Sequence, residues 1–215
     1  NFYPIYKECF EHIDHISCRE KAGLEIIKAV TGKVGTHVVD PTLLMSKKEW
    51  KSVMIPYNAK EPYILMYILT HSPYITELAL EIQKKTGFKI IRVCFNSINI
   101  EKNKDILNIV DAGPAEFLGL FASASFVITN SFHGSIFSLI FEKEFFTITP
   151  LNKSNNSRQQ GLLEMVSLEN RIIKEGSDIS KISLDTIDYT IINNIIEKEK
   201  QDSVAFLTNA IEKNI

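Results

Sequence analysis

The chain has 215 residues, 45% of them hydrophobic, and its 24 lysines and arginines against 26 acidic residues leave a net charge of −2. This is the composition of a globular protein long enough for one large α/β domain, or one domain and part of another. Its lysines are scattered, pairing only at Lys47-Lys48 and Lys84-Lys85, so neither nucleic acid nor an anionic membrane surface is indicated as a partner.

Apolar periodicity alternates between strand and helix along the chain. His15 to Cys18 reads as a short strand, and Glu20 to Val30 as a helix with Ala22, Ile26, Ile27 and Val30 on one face, stopped by Gly32. Thr36 to Val39 is the next strand, ended by the turn-favouring pair Asp40-Pro41. Ser46 to Pro62 is polar and reads as a connection. Tyr63 to Leu69 is a continuous apolar run, as expected of a strand buried on both faces. A helix starts at Pro73 and runs through Lys85 to Gly87; a strand follows from Lys89 to Phe95. Asn96 to Asp111 is a polar connection with an apolar patch at Ile106 to Val110. Gly113-Pro114 opens a helix to about Ser123. Phe126 to Thr129 is a strand, Ser135 to Phe141 a helix and Glu144 to Thr149 a strand. Asn152 to Ser157 reads as a polar loop, Arg158 to Val166 as a helix, and Asp185 to Lys213 as helical with a break near Asp202.

This alternation predicts an α/β fold, a doubly wound parallel Rossmann-like sheet. Residues 1–45 read as the remnant of a neighbouring N-terminal Rossmann-like domain, 46–61 as the connection, and 62–215 as a C-terminal Rossmann-like domain with C-terminal helices. Neither Gly-x-Gly-x-x-Gly nor Gly-x-x-x-x-Gly-Lys-Ser/Thr occurs, which removes the usual support for dinucleotide or P-loop binding. Cys9, Cys18 and Cys94 are odd in number and form no Cys-x-x-Cys pair; this favours a reducing cytoplasm over a disulfide framework or zinc site. No apolar run approaches the ~20 residues needed to span a bilayer. The chain opens at Asn1 inside what reads as continuing structure, so targeting is not legible in it.

The richest stretch is Phe126 to Phe141, where Asn130-Ser131-Phe132-His133-Gly134 joins a buried strand to a buried helix. In an open α/β sheet that edge receives ligands, because helix N-termini present unpaired N–H groups there. The plain alternative is that Asn130 or Ser131 caps the helix and His133 bonds locally. Arg19, at another strand-to-helix junction, could grip a carboxylate or phosphate bidentately, or pair with Glu20. Asp40-Pro41 could line the same crevice, with turn formation its leading role. Asp111 and Gly113 mark a third junction, offering a hydroxyl acceptor and close backbone approach; Asp111 could equally cap the helix. Arg158, in Asn155-Asn156-Ser157-Arg158, is a further candidate anion ligand. His12, His15, His37 and His71 share no metal-ligand spacing and read as structural or solvent-facing.

Taken in order, Ile16-Ser17-Cys18-Arg19-Glu20, Val38 to Leu44 (VVDPTLL) and Asp111 to Phe141, with a weaker echo at Ser157 to Arg171, resemble the polysaccharide pyruvyl transferase family. The resemblance implies two facing Rossmann-like halves of the glycosyltransferase-B type, of which this chain holds the C-terminal half and the tail of the first. It implies transfer of the pyruvate moiety of phosphoenolpyruvate to two hydroxyls of a glycan or lipid-linked sugar precursor, giving a pyruvate ketal, with no cofactor or metal. Phosphoenolpyruvate would then meet Arg19, Arg158 and helix N-terminal amides, with Asn130, Ser131, Gly134, Asp111 and Gly113 around the substrate. His133 would be the general acid/base or a phosphate ligand, since an imidazole can change charge near neutral pH. Some relatives have Arg-Leu-His-Gly where this chain has Ser131-Phe132-His133-Gly134, so one anion-binding arginine is replaced by Ser131. The location implied is cytoplasmic, at most peripheral to the membrane where glycan precursors are assembled. Two other readings remain: a nucleotide-sugar glycosyltransferase using Asp111 or Glu116 for the nucleoside, and a non-catalytic glycan-binding relative.

Overall fold

The structure, a computed structural model, describes residues 3–94, 102–151 and 156–212. It begins with helix α1 (Tyr3–Glu11), strand β1 (Ser17–Cys18), helix α2 (Lys21–Thr31) and strand β2 (Thr36–His37). The two strands pair in parallel, Ser17 with Thr36 and Cys18 with His37. Gly32 ends α2 at φ 74°, where its N–H bonds the Lys28 carbonyl; the left-handed conformation costs glycine little. Of the apolar face expected on α2, Ile27 is buried but Ile26 is 63% exposed, because two strands make a narrow platform. Asp40 then opens a short 3-10 turn, Pro41–Leu44.

The polar connection expected over residues 46–61 contains a helix, α3 (Lys47–Val53). The Ser46 side chain accepts from the Glu49 amide, and the Glu49 carboxylate accepts from the Ser46 amide, a reciprocal capping box. Trp50 docks this helix edge-on against Phe137, ring centroids 5.3 Å apart.

The main sheet follows: β3 (Tyr63–Tyr67), α4 (Pro73–Thr86), β4 (Lys89–Val93), β5 (Ile106–Ile109), α5 (Pro114–Ser123), β6 (Phe126–Thr129), α6 (Phe132–Ile140), β7 (Glu144–Thr149), α7 (Ser157–Met165), β8 (Ile172–Lys174) and α8 (Tyr189–Glu212). All six strands are parallel, in the order β5-β4-β3-β6-β7-β8, which is the Rossmann arrangement with its reversal between β3 and β6. The doubly wound α/β expectation is met. Three local differences have simple causes. The apolar patch at Ile106 to Val110 is long enough to add an edge strand, β5. Residues 172–174 add β8 at the other edge, and α8 runs unbroken through Asp202. The expected strand end at Phe95, the start of the connection at 96–101 and the polar loop at 152–155 lie outside the described residues.

Strand residues alternate between two apolar clusters. Leu65, Ile91, Val127 and Phe145 face one in which α5, α6, α7 and α8 take part. Ile64, Ile90, Ile128, Phe146 and Ile148 face the other, with α4. Val39 and Leu43 belong to the first cluster, and the Val39 amide donates to Ser203 Oγ of α8 at 2.9 Å. The end of β2 is thereby held against the C-terminal edge of the main sheet's first face. No described helix is long and apolar enough to cross a membrane.

Close packing sets one severe constraint. The chain after α3 crosses α5 at Gly119, where an added Cβ would lie 1.8 Å from the Ile55 carbonyl oxygen. The Ile55 amide also bonds the Ala115 carbonyl, so that backbone cannot retreat without breaking a hydrogen bond. Gly119→Ala should therefore cost about 1–3 kcal/mol, seen as a lower urea midpoint at unchanged m-value. An unshifted midpoint would contradict this packing.

Candidate functional site

The turn after β6 is built almost entirely from its own polar groups. Thr129 Oγ1 donates to the Tyr67 carbonyl at 2.7 Å and accepts from the Ser131 amide at 3.0 Å. The Asn130 amide group accepts from the Leu69 N–H at 2.8 Å and donates to the Thr70 carbonyl at 2.7 Å, stapling the ends of β3 and β6 together. Ser131 caps α6 by accepting from the Gly134 amide at 3.3 Å, and it shares a hydrogen bond with the Tyr67 hydroxyl. Burial raises the Tyr67 pKa, and the Ser131 bond offsets part of that rise. Gly134 is a contact requirement, since a Cβ there would lie 2.2 Å from Thr129 Oγ1. Three residues expected around the substrate, Asn130, Ser131 and Gly134, thus spend their polar groups or their small size on the turn. His133, at the exposed side of the first turn of α6, does not.

A cleft of about 290 Å³ opens between this edge, the β1–α2–β2 unit and α7. Arg19, Asp40 and Phe132 line it, as does Arg158 from the first turn of α7; His133 is not among the lining residues and adjoins the cleft through Asp40. Arg19 Nη1 donates to Asp40 Oδ2, and its guanidinium carbon sits 5.2 Å from the centre of the Phe132 ring. His133 Nε2 is 3.8 Å from the same Oδ2 atom. Arg19 and His133, far apart in sequence, therefore meet on one carboxylate. Arg158 Nε is 3.2 Å from Glu20 Oε1, which bridges α7 to the start of α2. Neither α2 nor α7 has a side-chain cap at its N-terminus, so their first N–H groups are not satisfied by capping side chains.

Asp40 is only 4% exposed, so its charge must be compensated. Burial by itself would raise its pKa. The Thr42 hydroxyl and amide, bonded to Oδ1 at 2.6 and 3.0 Å, together with the Arg19 guanidinium outweigh that and hold the carboxyl below its ordinary value. The result is a fixed anion that orients Arg19 and faces His133.

Asp111 and Gly113 do not line this cleft; they sit at the end of β5, three strands along the sheet from β6. Glu116 does not line it either. His37, expected to be structural or solvent-facing, does line it. Asp40, which the sequence allowed to line this crevice with turn formation as its leading role, does both; Glu20, expected only as a partner of Arg19, and His37 were not read as site residues. The pairing of Asp-Pro after one strand with Arg after its neighbour was the available signal, because parallel pairing puts both at one edge. No group of three or more His, Cys, Asp or Glu that could hold a metal ion occurs among the described residues.

Comparison with known proteins adds a family. The family model described as polysaccharide pyruvyl transferase matches residues 1–152. No curated protein matches. Among solved structures, UDP-GlcNAc 2-epimerase from Methanocaldococcus jannaschii, in complex with UDP-GlcNAc and UDP, is 18% identical at TM-score 0.43, covering 87% of this chain and 51% of that one. UDP-N-acetylglucosamine 2-epimerase from Rickettsia bellii is 12% identical at TM-score 0.51, covering 98% and 63%. The glycotransferase of kitacinnamycin is 10% identical at TM-score 0.46, covering 99% and 60%. The chain spans from about half to just under two-thirds of these structures' lengths. At such identities the likeness concerns the fold alone.

The Asp40 arrangement has a pH signature. A carboxyl whose folded pKa lies below its unfolded value stabilises the fold fully above that unfolded value of about 3.9, and the contribution is lost as pH falls through the folded value. Urea unfolding should show Asp40→Asn less stable than wild type at neutral pH, with the gap shrinking by about pH 3. A gap that widens on acidification would reverse the assignment.

Proposed function

The chain belongs to the polysaccharide pyruvyl transferase family, and from that premise we propose that its full-length protein forms a pyruvate ketal on a glycan or lipid-linked sugar, with phosphoenolpyruvate as donor. The observation that carries this reading is the convergence of Arg19 and His133 on the buried Asp40 carboxylate, which lines one cleft with Arg19 and Arg158.

Phosphoenolpyruvate brings a phosphate and a carboxylate to be neutralised. A guanidinium has five N–H donors, and the bond to Asp40 leaves Arg19 others for the ligand. Arg158, half exposed, can exchange Glu20 for an anion, and the uncapped starts of α2 and α7 supply N–H groups at the same cleft. This division of labour needs no arginine at position 131. Glu20 next to Arg158 and Asp40 next to Arg19 keep both cations in place before the anion arrives.

In the reaction one sugar hydroxyl adds to C2 of the donor while C3 gains a proton and becomes a methyl group. The second hydroxyl then bonds to C2 as the C2–O bond to phosphate breaks, and phosphate leaves with the proton. Each hydroxyl needs a base and C3 needs an acid. We assign these transfers to His133, whose Nε2 lies 3.8 Å from Asp40 Oδ2. A nucleotide-sugar reading has less support, because neither Asp111 nor Glu116 lines the cleft or contacts Asp40 as Arg19 and His133 do.

On the full-length protein, His133→Ala should lower ketal formation about 10²-fold or more while the fold, followed by circular dichroism, is kept. Arg19→Ala should weaken phosphoenolpyruvate binding by roughly thirtyfold, the worth of about 2 kcal/mol of charge-assisted bonding. Calorimetry showing tight nucleotide-sugar binding and none to phosphoenolpyruvate would sink the proposal. We expect no turnover from the 215-residue chain by itself, because reaction needs both substrates held in one complete cleft; ketal product from it alone would refute that.

A further inference from the structure

We propose that Phe132 is a positioning residue for the donor: its ring fixes the plane of the Arg19 guanidinium, and with it the direction of the N–H groups left for an anion. The inference rests on the reading that Arg19 binds phosphoenolpyruvate, and it adds a residue to which that reading gave no part. The observation behind it is that the guanidinium carbon of Arg19 stands over the Phe132 ring, 5.2 Å from its centre.

Asp40 by itself does not fix Arg19. The carboxylate accepts from Nη1, and the next acidic oxygen, Glu20 Oε1, is 3.9 Å from Nε, beyond hydrogen-bonding distance. A planar group tied at one corner can still swing about that bond. The Arg19 side chain is part-exposed, so it has room to do so. An aromatic ring removes the freedom, because a cation within about 6 Å of the ring centre is drawn to the ring face. All guanidinium donors lie in one plane, so fixing the plane fixes every donor that Asp40 leaves unused. The ring also keeps water from one side of the cation, which strengthens its attraction for an anion.

The ring can act as a reference because it is itself fixed. Phe132 opens α6, is 9% exposed, and belongs to the apolar cluster that contains Val39, Leu43 and Phe137. Ser131 caps that helix, and the close approach of Gly134 to Thr129 seats it on β6. Arg19 follows β1 and Phe132 follows β6, so their contact sets the small two-stranded unit against the main sheet. The same ring meets the His133 imidazole at 71°, with centroids 5.5 Å apart. One buried side chain therefore borders both the arginine and the imidazole of the site. Leucine would fill much of the same space but has no negative ring face to offer a cation.

The test uses full-length protein and phosphoenolpyruvate, with binding followed by calorimetry. Affinity should fall about fivefold in Phe132→Leu. In the Arg19→Ala background the same substitution should change affinity by less than about 1.5-fold, because the group it acts through is gone. Phe132→Met carries the test if Phe132→Leu fails to fold by circular dichroism. An equal loss with and without Arg19 would make Phe132 a packing residue only and overturn the proposal, as would an unchanged affinity in the presence of Arg19. A second readout is independent of the donor. In NMR spectra of the arginine Nε–H groups, the Arg19 signal, assigned by its absence from Arg19→Ala, should move downfield in Phe132→Leu as the shielding of the ring is lost. An unmoved signal overturns the proposal. If wild type does not bind phosphoenolpyruvate, the donor reading fails by itself, and the NMR shift still decides whether Phe132 holds Arg19.

Discussion

A single carboxylate removed from water organises this edge of the molecule. Asp40 lies at the end of β2, almost wholly buried, and a charge in that position is tolerated only with partners on every side. Thr42 supplies two hydrogen bonds from the following turn, Arg19 supplies a guanidinium from the end of β1, and His133 approaches from the start of α6. Each partner belongs to a different element. The demand of one anion for compensation therefore fixes the relative placement of three strand-to-helix junctions; it gives the cleft an oriented arginine and sets the His133 imidazole beside the same carboxylate.

The main sheet provides the platform for that arrangement. Its strand order reverses between β3 and β6, which opens a gap at their C-terminal ends. Asn130 closes the gap with two hydrogen bonds to the loop after β3, and Gly134 lets α6 settle directly onto Thr129. The consequence for the site is that His133 starts from a rigid base. Rigidity of this kind matters where a proton must move over hydrogen-bond distances. Along the outer wall, the bridge from Arg158 to Glu20 and the contact of α8 with Val39 join the β1–α2–β2 unit to the sheet, so both sides of the cleft are held.

Much of this was legible in the sequence, and the failures have causes. Continuous apolar runs such as Tyr63–Tyr67 and Phe126–Thr129 located buried parallel strands, and proline and glycine marked the ends of α4 and α5. The short helix α3 was hidden by its polar surface, although Ser46 and Glu49 spell its capping box. The edge strand β5 was too short and too exposed to stand out from a loop. At the site, Arg19 and His133 were recognised as chemistry-bearing residues, and the structure brings them together. Asn130, Ser131 and Gly134 carry the same local signal as ligand-binding residues, because a turn that binds and a turn that caps itself use the same small polar groups.

What the sequence determines is what depends on near neighbours: which segments are strands or helices, where they stop, and that strands alternating with helices must form a parallel doubly wound sheet. It also carries the motifs of the polysaccharide pyruvyl transferase family. Only the tertiary structure decides that Arg19, Asp40 and His133 share one carboxylate, that Glu20 meets Arg158, and that His37 looks into the cleft with Glu199 behind it. The physical reason is distance along the chain. Those contacts join residues from 21 to more than 130 positions apart, and their energy comes from desolvation and charge pairing, which exist only after the sheet has brought the elements into place.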